Sequence, residues 1–140
     1  LPLSKLQIEE IARRDKISED IAELESEYDL KFDNNFIVPC TTDYQLYIIN
    51  TMKETPEKLL AHMYVRHFGD MYGGAIVAKR TPGSGTMYEF DGKEKLKQRV
   101  RSILTLDMAD EANKCFEFAI KLFEELEVWY ESNLEKARRA

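Results

Sequence analysis

The chain has 140 residues, 44% of them hydrophobic and 33% charged, which is room for one domain with a real core and a globular rather than disordered balance. A formal net charge of −6 argues against sequence-independent nucleic-acid binding, which rests on phosphate neutralisation. No apolar run is long enough to cross a membrane.

The opening "LPLSKLQIEE" lacks a methionine and enters a helical pattern almost at once, so the chain reads as a piece of something longer or as a processed product. Ser4 suits the cap of a first helix carrying Leu6, Ile8 and Ile11. A second amphipathic stretch holds Ile17, Ile21 and Leu24. After the polar loop "KFDNNFIVPCTTD", Thr42 or Asp43 is expected to start a helix bearing Tyr44, Tyr47, Ile48 and Met52. In "KETPEKLL", Thr55 suits the N-cap, Pro56 the first helical position, and Glu57 the positive end of the dipole. That helix should run to about Lys79. "TPGSG" at 81–85 stops it, and is no phosphate loop because no GK[ST] follows. "KEKLKQRVRSIL" reads as a further helix. The last element is long: Phe116, Ala119, Ile120, Phe123 and Leu126 recur at helical spacing as a stripe expected to face a core, and its charged end is expected to fray. With no strand and no internal repeat, the expectation is one all-α domain over 1–140.

The segment "HMYVRHFGDMYGG" at 62–74 sets three glycines inside a helix, although each weakens a helix interior by roughly 1 kcal/mol relative to alanine. At about 100° per residue, His62, Arg66 and Gly73 fall within roughly 60° of Gly69, Val65 lies on its other flank, and Asp70 stands at the rim. Glycines at i and i+4 clear a backbone for close approach, either by another helix or by a flat ligand. Arg66 and Asp70 form an ordinary i, i+4 pair. His62 and His67 are five apart, with no HExxH or His/Cys cluster, so neither reads as a metal ligand. Phe116 and Phe123 are either core or a wall for a planar ring. Lys97 and Arg101, i and i+4 in a basic run from Lys93, are either a solvated face or carboxylate-binding groups. Cys40 and Cys115 form no CxxC, which fits a reducing, cytoplasmic setting better than a disulfide framework or a structural zinc site.

Taken together, "LLAHMYVRHFGDMYGG" resembles the distal-helix signature of heme oxygenases, approximately AHAYxRYLGDLSGGQ. "KLKQRVRSIL" is similar to that family's propionate-contacting helix, and "DEANKCFEFAIKLFEEL" to its closing helix. The resemblance runs from about Thr51 to Glu127 and more weakly back to the first helix. It implies the C-terminal, larger part of an all-helical heme oxygenase fold, in which heme lies between a proximal helix with an axial His and a kinked distal helix. The implied reaction oxidises heme, with O2 and external electrons, to biliverdin, CO and Fe2+. By position, Gly69 and Gly73 would let the backbone lie close over the ring, with Val65 and Tyr64 beside the pocket. Asp70 would hold the water network that delivers protons to the reacting oxygen, supported by Arg66. Lys97 and Arg101 would meet the propionates, and Phe116 and Phe123 would wall the ring. The family's axial His belongs to a helix upstream of this chain, and His62 and His67 belong to the distal motif instead. Tyr72, Ala75 and Ala119 stand where the family usually has Ser, Gln and Asn. No flavin or nicotinamide motif is visible, so the resemblance implies ferredoxin or a flavoprotein reductase as electron donor. The basic run is a candidate dock for an acidic ferredoxin. The alternative is a heme-free relative acting through protein contacts. A di-iron oxidase would need ExxH motifs, and none occurs.

Overall fold

Prolines and glycines set several of the helix boundaries. The computed structural model describes residues 8–31, 33 and 36–139, and among these the secondary structure is helical with no strand. Five α-helices follow in order: α1 (Arg14–Tyr28), α2 (Pro39–Glu54), α3 (Leu59–Arg80), α4 (Lys93–Arg101) and α5 (Ala109–Arg139). Short 3-10 turns at Glu9–Ile11, Pro56–Lys58, Thr86–Tyr88 and Leu106–Met108 precede four of them or join them.

The expected Ser4-capped helix falls largely outside the described residues; its described end is the Glu9–Ile11 turn, with Ile8 extended before it. Helix α2 starts at Pro39, earlier than Thr42 or Asp43, because a proline's fixed φ and missing N–H suit the first helical position. Pro56 opens a 3-10 turn rather than α3 itself, and the Thr55 side chain makes no cap hydrogen bond. Helix α3 then runs unbroken through all three of its glycines. Gly92 enters α4 at φ 63°, a left-handed conformation that glycine adopts without a Cβ penalty. The charged end of α5, expected to fray, is helical to Arg139, where an i, i+4 contact of 2.6 Å joins Arg139 to Glu135.

Helix α3 is a wall shared by two interiors. On one side Phe68 and Met71 pack with Ile8, Ile11, Phe90, Leu96 and Val100 in an apolar cluster. On the other, α2, α3 and α5 enclose Cys40, Thr51, Leu60, Ala61, His62, Glu111 and Cys115. Helix α1 buries no residue fully and is tied down by polar contacts. The Asp20 carboxylate accepts the backbone N–H groups of Thr86 and Met87, each at 2.8 Å, and Glu23 accepts the Ser84 hydroxyl at 2.7 Å.

The α5 stripe is a correction. Phe116 and Phe123, expected to face a core, are 53% and 73% exposed. The inward line is instead Glu111, Cys115 and Phe118, about 100° or more around the helix from Phe116. Periodicity found an apolar face, but α5 meets α2 and α3 through a different, partly polar one.

Candidate functional site

The three glycines of α3 have different jobs. A Cβ on Gly74 would stand 2.3 Å from Cδ1 and 2.9 Å from Cγ of Tyr88, so this glycine admits the 86–88 turn against the helix. A Cβ on Gly69 or Gly73 would meet no protein atom within 4 Å. These two lie on an exposed strip that continues through Tyr72 and Ile76. The Lys97 ammonium lies 5.7 Å from the Tyr72 ring, which brings α4 to the edge of that strip. Helix α5, packed along α3, carries its exposed Phe116, Ile120 and Phe123 line. The backbone at Gly69 and Gly73 is therefore an exposed, bare strip rather than a helix crossing.

Asp70 is half-buried at the rim of this strip. Burial pushes its carboxyl above the usual carboxylate range, opposed by the positive charges of Arg66 and Arg13. Asp70 and Asp20 in turn add to the burial that raises the Tyr88 hydroxyl. Arg66 rests on Tyr44, its Cζ 4.9 Å from the ring centroid. Behind α3, burial and the charges of Arg13 and Arg66 lower His67, so its imidazole is neutral near pH 7. His67 Nδ1 is buried with no hydrogen-bond partner.

Arg13 was not visible as a site residue in the sequence, where it is one of an ordinary Arg-Arg pair. It is buried over Phe90, 3.8 Å from the ring centroid, and donates to the carbonyls of Glu10 (2.8 Å), Met87 (3.0 Å) and Glu89 (2.6 Å). It clamps the N-terminal turn to the 86–90 segment and supplies a second fixed charge near Asp70. Arg13→Met is expected to cost about 2 kcal/mol of stability, because it removes the charge-assisted hydrogen bonds to three part-buried carbonyls; urea unfolding measures it, and an unchanged midpoint would contradict the clamp.

His62 is the other residue whose role the tertiary structure decides. Both ring nitrogens are engaged, Nε2 at 2.8 Å from Glu111 Oε1 and Nδ1 at 2.8 Å from the Tyr44 hydroxyl. Burial pushes the Glu111 carboxyl up, but hydrogen bonds from His62 and Tyr47 outweigh it and hold the group below its ordinary value. A carboxyl depressed in the fold stabilises above its unfolded pKa and loses that contribution as pH falls through the folded value. Melting temperature should therefore drop as the solution is acidified through and below the glutamate range. Glu111→Gln should show a shallower drop over that window in calorimetry.

Among the remaining sequence candidates, Tyr64 packs against Phe68 with ring centroids 4.7 Å apart and lines a small cavity with Leu104, Leu106 and Met108. That places it on the inner side of α3, away from Gly69. Val65 is half-buried, Lys97 is half-buried beside Tyr72, and Arg101 is exposed near the end of α4. The structure thus gathers Arg66, Gly69, Asp70, Gly73 and Lys97 around one strip of α3. It does not bring Tyr64 there. No cluster of His, Cys, Asp and Glu suited to a metal ion occurs among the described residues.

Among the described residues the domain is helical, with two bared glycines beside an arginine-flanked carboxyl on α3 and exposed aromatic rings on α5. The heme oxygenase family model matches residues 2–125, and the chain belongs to that family. A heme oxygenase of Rhodella violacea is 32% identical over 89% of this chain, which spans 60% of that relative's length. A heme oxygenase of Porphyra purpurea is 36% identical over 66% of the chain and 48% of its own length. Heme oxygenase 2 of Rattus norvegicus is 30% identical over 64% of the chain and 36% of its own length. No solved structure gives a significant match.

Proposed function

We propose that this chain forms the distal and C-terminal part of a heme oxygenase that cleaves heme with O2 and external electrons to biliverdin, CO and Fe2+. The observation that carries the reading is the open backbone at Gly69 and Gly73 beside Asp70. Glycine there keeps side chains off the ring face and leaves space for a diatomic gas. The heme edge would be held by Lys97 and Arg101 through its propionates, and its plane walled by Phe116 and Phe123. Bound heme is both substrate and cofactor, and supplies the iron at which O2 is reduced. Asp70, with its carboxyl raised by burial and its charge balanced by Arg66 and Arg13, would take and return protons through water.

His62 is committed to Glu111 and Tyr44, and His67 lies about 160° around α3 from Gly69. The iron's protein ligand is therefore proposed to come from outside the described residues. The electron donor is proposed to be a ferredoxin or a flavoprotein reductase, docking on the exposed Lys95, Arg99 and Arg101 of α4. Helices of the described residues are nowhere long and apolar enough to cross a membrane, and the buried thiols of Cys40 and Cys115 are free. A cytoplasmic, reducing setting is proposed on the cysteine usage.

The test is to give the protein hemin, a reductant and O2 and to follow the Soret band. Its decay with appearance of biliverdin is expected. Saturable hemin binding without bilin removes the activity, and no Soret change at all favours a heme-free relative acting through protein contacts.

A further inference from the structure

The polar line between α2, α3 and α5 has a direction. A carboxylate only accepts, so His62 Nε2–H donates to Glu111 Oε1 at 2.8 Å. In the neutral ring Nδ1 is then the acceptor, and the Tyr44 hydroxyl donates to it at 2.8 Å. The Tyr47 hydroxyl donates to the same Glu111 oxygen at 2.5 Å. Phe118 lies against both tyrosine rings, with centroids 4.8 Å from Tyr44 and 5.3 Å from Tyr47. Tyr44 is thus held at its hydroxyl and along its ring. That ring carries the Arg66 guanidinium, one helical turn from Asp70. A buried acid and imidazole add little that an apolar core would not, unless their geometry is used.

We propose that Glu111 is a positioning residue for Arg66: through His62 and the Tyr44 hydroxyl it fixes the aromatic ring on which the guanidinium rests, and so fixes that charge relative to Asp70. The groups that face the Asp70 carboxyl are then Arg66 from its own helix, Arg13 from the N-terminal turn and Tyr88 from the 86–88 turn. Arg13 is pinned by backbone carbonyls; Arg66 is pinned by a chain of three side chains that starts on another helix. The bearing of this on turnover rests on the function proposed above, whereas the positioning itself does not.

The experiment is a carbon-13 NMR titration of the Asp70 carboxyl in the full chain without heme, in wild type, Arg66→Met, Tyr44→Leu, Glu111→Gln and the Tyr44→Leu/Arg66→Met double variant. Arg66→Met should raise the Asp70 midpoint by about one pH unit. Tyr44→Leu and Glu111→Gln should raise it in the same direction, and the double variant should go no further than Arg66→Met alone. An Asp70 midpoint unmoved by Glu111→Gln and Tyr44→Leu, or shifts that add in the double variant, would overturn the proposal. If a core variant does not fold, the wild type and Tyr44→Phe decide. The Arg66 side-chain protons should be shifted upfield by the Tyr44 ring, and less so once the hydroxyl anchor is gone. Unshifted Arg66 protons in the wild type overturn the proposal. Asp70 midpoints that move as expected while bilin formation stays constant would uphold the positioning and remove Asp70's role in turnover.

Discussion

Gly69→Ala and Gly73→Ala are each expected to leave the free chain folded and more stable by about 1 kcal/mol, while weakening hemin binding. Alanine gains its full helix propensity at both sites because an added Cβ meets nothing within 4 Å. The same Cβ would stand on the exposed strip where the ring is proposed to lie. Gly74→Ala should behave in the opposite way. Its Cβ would overlap Tyr88 at 2.3 Å, so the 86–88 turn must shift and stability should fall by about 2 kcal/mol. Urea melts of the three variants read the first half of this expectation and hemin titrations the second. Wild-type hemin affinity in both Gly69→Ala and Gly73→Ala would remove this strip from the binding site.

Replacing Asp70 should separate binding from chemistry. Asp70→Ala is expected to keep hemin affinity near wild type and to lower bilin formation roughly 100-fold or more, the usual scale for losing a positioned proton donor. The stability effect has the opposite sign. A carboxyl whose folded pKa is raised contributes stability below its unfolded pKa and loses it as pH rises through the folded value. Asp70→Asn should therefore be neutral in acid and stabilising near pH 7. Parallel melts at the two pH values test the sign, and single-turnover assays with hemin test the rate. Normal bilin yield from Asp70→Ala would end the proton-handling role.

Gly69, Gly73 and Asp70 share one property. Each is a local weakness: glycines that the helix tolerates at a cost, and a half-buried acid that the fold would hold more easily uncharged. Both costs fall on one strip of α3, while the rigid parts lie behind it in the Arg13 clamp and the Glu111–His62–Tyr44 line. Such a division suits the open face on which the ring is proposed to lie.

Local chemistry was enough to read the helices. Their periodicity, the Pro56 start signal and the "TPGSG" stop all act within a turn or two of chain, so they are legible without a partner. The motif around Gly69 and Asp70 was legible for the same reason, and family membership followed from it. What a helix packs against depends on contacts distant in sequence, which local spacing does not carry. The α5 stripe was apolar but outward, because α2 and α3 meet α5 on the Glu111–Cys115–Phe118 side. Arg13 reaches Glu89 across 76 positions, and His62 reaches Glu111 across 49, separations that no local pattern encodes. The sequence by itself determined the helical class and the family, since these depend on residue type and spacing along one helix; it set His62 on the same face as Gly69, but the fold buries His62 against Glu111 and Tyr44 and carries the exposed strip through Tyr72 and Ile76. Only the tertiary structure decided which glycine is for packing and which two are open, because that turns on whether Tyr88 or empty space lies where a Cβ would be.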